Sequence, residues 1–482
     1  MQGFAANARR KPICDMSTLQ KYLSLPQTPM ELPAMCRVHA AKAESGLVNQ
    51  LVREMAVRTS RCYQAFSEPV IQKALRKPHA ERLRWVKTFV LREFNYCVAL
   101  HRSVESATEL ISMQGAYSGP SASISLLDSA VADNFYDDSS LPPYEDDVHR
   151  LQEEGDDISL SAGPSPLAGA TESGLRSHRR LTNRELTHRE VECILESWSE
   201  GNTTMPLATV LRLLQPHQSL LDVIVNETTV RSDELNGWLL RFCRRRVAWR
   251  VIHEYLLHLI TPNETKQVIC SDASVEAIVQ QAGNAVVEIF SDLVENGSVH
   301  SLELNVEENA RILTEIPTGT LISSSTSQRS CPCDATDTQR VEPRPSTVIY
   351  SIEGHLLYVF REMFKNASVA TLRLRPDINI SVHYAMDDKW VVLDFVDQAG
   401  GISPEHFKNI WKFGWTTSEH YESHLGGFGV GLSTSKVYMD MCGGSIDLYC
   451  TPRQGTTVRV RFPKAPVEIL VPDSTLPPVP PS

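Results

Sequence analysis

Four residue types able to do chemistry crowd into one short stretch, at Tyr358, Glu362, Lys365 and Asn366. On a helix, spacings of four, three and one put all four on a single face. A carboxylate, an ammonium and a carboxamide held side by side are costly unless they meet water, a ligand or a metal. The carboxylate can take up a proton, and the carboxamide offers the neutral oxygen that Mg2+ accepts beside phosphate oxygens and water. An amphipathic helix with a wet polar stripe gives the same pattern, so this stretch alone leaves both readings open.

Two further segments carry their own chemistry. Asp397-Gln-Ala-Gly-Gly-Ile follows an apolar run. A carboxylate at a strand end can accept a hydrogen bond from an adenine amino group, and Gly400 and Gly401 permit close backbone approach. A glycine turn beside a solvated acid is the plainer alternative. Gly426-Gly427-Phe428-Gly429-Val430-Gly431 leads into a predicted helix from Leu432 to Met441, stopped by Gly443-Gly444. Glycines before a helix expose backbone N–H groups at its positive end, which suits a phosphate. A Walker loop is absent, and so is a Rossmann fingerprint.

The elements that must position these residues are legible as patterns. Ile378, Ile380, Val382 and Tyr384 alternate, Asp387-Asp388-Lys389 can turn, and Trp390 to Val396 forms a buried strand. Val458, Val460 and Phe462 alternate with Arg459 and Arg461 near the end. Helices with an antiparallel-rich sheet predict a two-layer α/β sandwich over about 266–465. Residues 16–260 are helical in pattern. Leu83, Val86, Val90 and Phe94 recur on one face. Leu239, Leu240, Phe242, Val247, Val251, Ile252 and Leu256 face a core, with Arg244, Arg245, Arg246 and Arg250 elsewhere. Thr261-Pro-Asn-Glu-Thr-Lys punctuates the boundary.

Two insertions interrupt this plan. Residues from about 112 to 178 are Ser, Gly, Pro and Asp rich and are expected to be disordered. They hold nearly all of the chain's formal charge of −11, because Asp128 to Asp157 contains eleven acids and one base, Arg150. A Ser/Thr/Pro-rich insertion is expected over about 316–345, and a flexible Pro-rich tail over 466–482. Arg9, Arg10 and Lys11 with no acid before Asp15 suit a mitochondrial presequence over 1–15 as well as a frayed basic terminus. There is no concentrated basic patch for nucleic acid and no run of about eighteen apolar residues for a membrane span. Eleven cysteines without a C-x-x-C pair suggest reduced thiols.

The order of the chemical segments is the specific signal. A Glu-x-x-x-Asn helix, an Asp-x-x-x-Gly strand end, a glycine-rich lid and Gly455-Thr456 resemble, in sequence, the N, G1, G2 and G3 boxes of the Bergerat ATPase superfamily. His355 through Thr371, Phe413-Gly-Trp-Thr-Thr-Ser-Glu and Gly427-Phe-Gly-Val-Gly-Leu-Ser-Thr-Ser-Lys-Val-Tyr resemble the mitochondrial 2-oxoacid dehydrogenase kinases, the pyruvate and branched-chain enzymes. Leu239 to Arg250 is similar to their bundle helix carrying R-x-x-x-R. Ala399 departs from the family, which has a glycine there.

The resemblance implies a helical four-helix bundle followed by a two-layer α/β sandwich of Bergerat, histidine-kinase-like ATPase type. It implies a protein-serine kinase in the mitochondrial matrix, a homodimer using ATP and Mg2+, acting on an E1α subunit while docked on an E2 lipoyl domain. Glu362 would then be the general base, with Tyr358 beside it in the catalytic group and Asn366 the Mg2+ ligand. Asp397 would read adenine. Lys365, Gly401, Thr416, Thr417, Gly426, Gly427, Phe428, Gly429, Val430, Gly431, Leu432 and Thr456 would complete the ATP site. His101, Arg246 and Arg250 would form an effector site for 2-oxoacids. Tyr358 leans toward the branched-chain members, which share that tyrosine. Two other functions fit the same boxes: a histidine autokinase with His253 as phosphoacceptor, and a nucleotide-binding pseudokinase that regulates by docking.

Overall fold

The computed structural model describes residues 16–28, 35, 45–78, 80–113, 188–214, 220–227, 232–263, 265, 267–313, 315, 320–322, 348–417, 429–451 and 453–465. The segment 1–15, the acidic insertion beyond 113 and the tail 466–482 lie outside the described residues.

The N-terminal half is built of helices α1 (Met16–Ser24), α2 (Ser45–Ala65), α3 (Pro69–Leu75), α4 (Glu81–Met113), α5 (His188–Ser199), α6 (Leu207–Leu213), α7 (Leu220–Glu227) and α8 (Asp233–Ile260). The stripe Leu83, Val86, Val90 and Phe94 is fully buried, and α2 packs against both α4 and α8. Trp238 stacks on Phe242 at 5.0 Å, and both meet Phe66 edge-on. The Trp238 indole donates to the Ala65 carbonyl at 2.8 Å, so the ring is buried without losing its hydrogen bond. Ser232 caps α8 by accepting from Leu235 N, with Asp233 and Glu234 in the first turn facing the positive helix end. Three helices here exceed twenty residues, α2, α4 and α8. The shorter α5 and α7 lie against α4, and the fourth long helix of the expected bundle is not among the described residues.

Arg246 departs from the sequence expectation. It is buried in the α2–α4–α8 core, not elsewhere on α8, and both its terminal nitrogens donate to the Glu93 carboxylate of α4. Burying a guanidinium demands a counter-charge, and Glu93 lies on the same face as Val90 and Phe94 to supply it.

The C-terminal half contains β1 (Ile269–Ser274), α9 (Val275–Glu295), β2 (Ser301–Glu308), β3 (Thr320–Ile322), β4 (Val348–Ile352), α10 (Glu353–Leu372), β5 (Asp377–Met386), β6 (Trp390–Val396), α11 (Gly431–Met441), β7 (Ser445–Thr451) and β8 (Gly455–Pro463). Six strands form one sheet in the order β2-β5-β6-β8-β7-β3, antiparallel except for β2 with β5. Strands β1 and β4 pair separately. Helices α9, α10 and α11 pack on the sheet, with Phe360 and Phe364 of α10 against Phe395 of β6. This is the expected two-layer sandwich. Strand β6 is buried on both faces, since Val392 meets Ile312 and Ala385 on the side away from Phe395. There Asp394 sits opposite Arg459 of β8 and accepts two hydrogen bonds from it, each 2.7 Å.

Within the Ser/Thr/Pro-rich segment 316–345, residues 320–322 are described. They form an edge strand paired with β7, too short for alternation to show in the sequence. The rest of that segment lies outside the described residues. No helix among the described residues is long and apolar enough to cross a membrane. Their cysteines are free thiols.

Candidate functional site

Helix α10 turns its apolar residues, Leu356, Val359, Phe360, Met363 and Phe364, into the sandwich. Its polar face is thereby fixed on the opposite side. Glu362 is buried and both its oxygens lie close to Lys365 Nζ, at 3.0 and 2.9 Å. Asn366, one turn further on, is exposed. Tyr358, one turn before, packs edge-on against Tyr438 of α11 at 5.1 Å. Burial, with the Glu362 charge as a second cause, raises the Tyr358 hydroxyl well above its ordinary pKa. It stays a neutral phenol, able to hydrogen-bond but not to act as a base.

The glycine-rich segment reaches this face through Gly431, the first residue of α11. A β-carbon there would collide with Glu362 Oε2 and come within 2.9 Å of its carboxyl carbon. Gly429 has φ +71° and sits on the Trp415 backbone, and its carbonyl accepts from Gly414 N at 2.9 Å. The N-cap residue Val430 makes no side-chain cap hydrogen bond, and the first turn of α11 brings backbone N–H groups and a positive dipole end beside Glu362. Val430 and Leu432 are half-buried here. Gly426, Gly427 and Phe428 lie outside the described residues.

The acid at the strand end is fixed by backbone. Asp397 directly follows β6 and is buried; its Oδ1 accepts from Ala399 N at 2.8 Å and from Thr456 N at 3.1 Å. Burial raises its pKa, and those N–H groups with the Thr456 hydroxyl oppose the rise. Gly455 makes this possible, because a β-carbon there would strike the Asp397 carbonyl. Gly400 and Gly401 take φ of +76° and +86°, whereas Ala399 does not have a positive φ. The alanine at the family's glycine position therefore costs no backbone strain. Gly401 also packs on Cys450 of β7, whose sulfur accepts from Ile402 N at 3.0 Å. Thr416 and Thr417 are exposed at the end of the segment following Ile410, and Thr417 accepts a hydrogen bond from Arg373 at 3.1 Å.

This segment is also tied to the helical half. Lys412 pairs with Asp233 at 2.8 Å, and Phe413 N donates to Asn236 at 3.0 Å, both on the first turn of α8. Sequence reasoning did not find these contacts, nor Gln398, Arg373 and Cys450, because long-range pairing leaves no local pattern.

Among the described residues no group of three or more His, Cys, Asp or Glu could hold a metal ion. A cation at this site would depend on the exposed Asn366 carboxamide together with oxygens brought by its ligand, which is the coordination Mg2+ favours with a polyphosphate.

The expected effector residues are not gathered around one anion. Arg246 is taken by Glu93, and Arg250 Nε by Glu254 at 2.6 Å. His101 Nδ1 meets the Tyr22 hydroxyl at 2.7 Å, about 12 Å along α4 from Glu93 at 1.5 Å per residue. His253 likewise does not fit a phosphoacceptor. It is buried, stacked on Trp249 at 5.1 Å, with Nε2 at 2.7 Å from the Leu211 carbonyl.

Comparison with known proteins agrees with the geometry. Residues 352–466 match the family of histidine kinase-, DNA gyrase B- and HSP90-like ATPases. A mitochondrial pyruvate dehydrogenase (acetyl-transferring) kinase of Schizosaccharomyces pombe is 26% identical over 138 residues, covering 24% of this chain and 32% of its own. Isozyme 1 of the rat, Rattus norvegicus, is 27% identical over 123 residues, 23% of this chain and 28% of its own. Kinase 1 of Saccharomyces cerevisiae is 30% identical over 122 residues, covering 22% and 31%. The chain thus spans about a third of the length of these relatives. Every box of the sequence pattern that falls among the described residues lies within the matched segment: residues 352–466 form an ATP-binding domain of the histidine kinase-, DNA gyrase B- and HSP90-like type.

Proposed function

We propose that the protein is an ATP-dependent protein-serine kinase that phosphorylates, and so inactivates, the E1α subunit of a mitochondrial 2-oxoacid dehydrogenase complex. The observation that carries this reading is the contact of Gly431 with Glu362, which sets the N-terminus of α11 against a buried carboxylate one turn from Asn366. The relatives' names support the substrate class.

In this mechanism a serine hydroxyl approaches Glu362, whose carboxylate takes its proton as the serine oxygen attacks the γ-phosphorus. The bond to the β–γ bridging oxygen breaks, leaving phosphoserine and ADP. Phosphoryl transfer asks little covalent chemistry of the protein, so positioning and charge neutralisation do most of the work. Asp397 and Thr456 orient the base, Lys365 holds Glu362 in place, Tyr358 stays a neutral hydrogen-bonding group beside it, and the α11 N–H groups face the phosphates. Asn366 would hold Mg2+, which supplies neutralisation of the phosphate charge. The proposal extends to docking on an E2 lipoyl domain, a homodimer and the mitochondrial matrix.

A second reading, a nucleotide-binding regulator without transfer, is favoured by one observation: Lys365 engages both Glu362 oxygens. Purified protein incubated with Mg-ATP and intact pyruvate or branched-chain complex separates the two. ATP-dependent loss of one complex's activity supports the kinase. The resemblance at Tyr358 leans toward the branched-chain complex, whereas the relatives' names favour the pyruvate complex. ATP binding with neither complex inactivated supports the regulator.

A further inference from the structure

Three consecutive residues at the C-terminal end of α10 reach the two loops that bound the base end of the site. Arg373 Nη1 donates to Thr417 Oγ1 at 3.1 Å, and Arg375 Nη2 donates to Gln398 Oε1 at 3.0 Å. Between them Leu374 lies over the turn after Asp397, its Cδ1 at 3.6 Å from where a Gly400 β-carbon would stand. Leu374 is nevertheless 63% exposed, among the most exposed large apolar side chains of the described residues. Its backbone is held there, since Leu374 N and Arg375 N both donate to the Thr371 carbonyl.

The direction of α10 gives this cluster its meaning. Glu362, Asn366, Ala370 and Arg373 follow one another at spacings of four, four and three, so they line a single stripe. Arg373 stands about 10 Å beyond Asn366 along the axis. The phosphate end of a nucleotide belongs at Asn366 and Gly431, and the base end at Asp397, beside Gln398 and Gly400. Ala370 offers only a methyl group between them and leaves that stretch of the stripe open to a ligand. An exposed leucine flanked by two guanidinium groups, at the base end of such a stripe, matches an aromatic base, which takes apolar contact on its face and cation contact from arginine.

We propose that Arg373, Leu374 and Arg375 form the rim that closes the base end of the nucleotide site and selects a purine. Leu374 covers the outer ring of the base. Arg373 ties that cover to Thr417, on the segment leading to the glycine-rich residues. Arg375 holds Gln398, and with it the turn carrying Asp397. The inference rests on the ATP-site reading and deepens it.

Titration calorimetry of the full chain with Mg-ATP and with Mg-CTP tests it, using Leu374→Ser and Arg373→Ala. A pyrimidine lacks the outer ring that reaches the rim. Leu374→Ser is expected to weaken Mg-ATP binding about tenfold, with Mg-CTP affinity and thermal midpoint unchanged. Arg373→Ala is expected to narrow the preference for ATP over CTP in the same sense. Unchanged ATP affinity in both variants, or equal loss for the two nucleotides, would overturn the rim. A wild-type protein that binds neither nucleotide would instead overturn the ATP site itself.

Discussion

Gly431 and Glu362, sixty-nine positions apart, are in such close contact that a single added methyl group would strike the carboxylate. Gly431 and the N-terminal turn of α11 are thereby set directly on the proposed base. Gly431→Ala must push Glu362 aside or shift the start of α11. Glycine there is half-buried at a helix end, so the fold should survive. Phosphotransfer is expected to fall by about ten- to a hundredfold, equivalent to about 1.4–2.8 kcal/mol in the barrier. Transfer rates and thermal melting measured on the same preparation check this, and a full-rate variant would show that the contact does not matter.

Asn366→Ala removes a hard oxygen ligand from the exposed end of the polar stripe without opening the core. Mg-dependent ATP binding should be lost while the melting temperature holds. Calorimetry with and without Mg2+ decides it: an unchanged affinity would remove Asn366 from the metal.

The Glu93–Arg246 pair is a structural element in this account. Glu93→Gln leaves a buried guanidinium without its counter-charge, which should destabilise the fold by about 3–5 kcal/mol. Denaturant unfolding measures this directly. A loss below about 1 kcal/mol would mean that Arg246 is not committed to Glu93, and would reopen its role as an anion ligand.

Histidine titration gives a prediction with a definite sign. His355 stacks on Tyr438 at 4.2 Å, and burial together with the nearby Arg250 lowers its pKa to about 3. The unfolded histidine titrates near 6.5. Between these values the unfolded state binds the extra proton, so His355 contributes stability above about pH 6.5 that is lost as pH falls toward 3. The loss is up to about 1.4 kcal/mol per pH unit. Tyr358 and Tyr438 face the same region, and Glu254 neutralises Arg250. Asp397, which is buried, and the half-buried Asp440 and Asp447 have raised pKa values and act in the opposite sense, so the comparison must be with a variant. His355→Phe keeps a ring against Tyr438 and removes the titration. Its melting temperature should fall less steeply between pH 6.5 and 5 than that of the wild type. Parallel slopes would contradict a histidine held neutral against Tyr438.

Local pattern carried the sandwich and much of the site. The alternation at Ile378 to Tyr384, the apolar run at 390–396 and the apolar face of α10 each express a period set by the backbone, and the structure has β5, β6 and α10 there. Asp397 was legible as an acid at a strand end beside glycines that permit close backbone approach, and Gly455-Thr456 only through the resemblance to the ATPase boxes. What stayed hidden depends on partners distant in the chain. Arg246 looked like a ligand-binding cation because its counter-ion lies 153 residues away in another helix. Nothing local announces that His253 meets the Leu211 carbonyl, 42 residues away. Arg373 and Leu374 carry no local signal, since their meaning comes only from Thr417 and Gly400. Residues 320–322 are too few to show a period, and their pairing with β7 is again non-local.

The central claim is that Glu362 is the base in phosphoryl transfer to a protein serine. Its most direct test is transfer of label from γ-labelled Mg-ATP to E1α in intact pyruvate and branched-chain complexes, run in parallel with wild-type protein and Glu362→Gln, with ATP affinity measured for both. The account predicts acid-stable phosphoserine on one E1α with the wild type. With Glu362→Gln it predicts near-equal ATP affinity and transfer reduced by about a hundred- to ten-thousandfold. Near-normal transfer by Glu362→Gln, or no phosphoserine on either E1α from a wild-type protein that binds ATP, would contradict it.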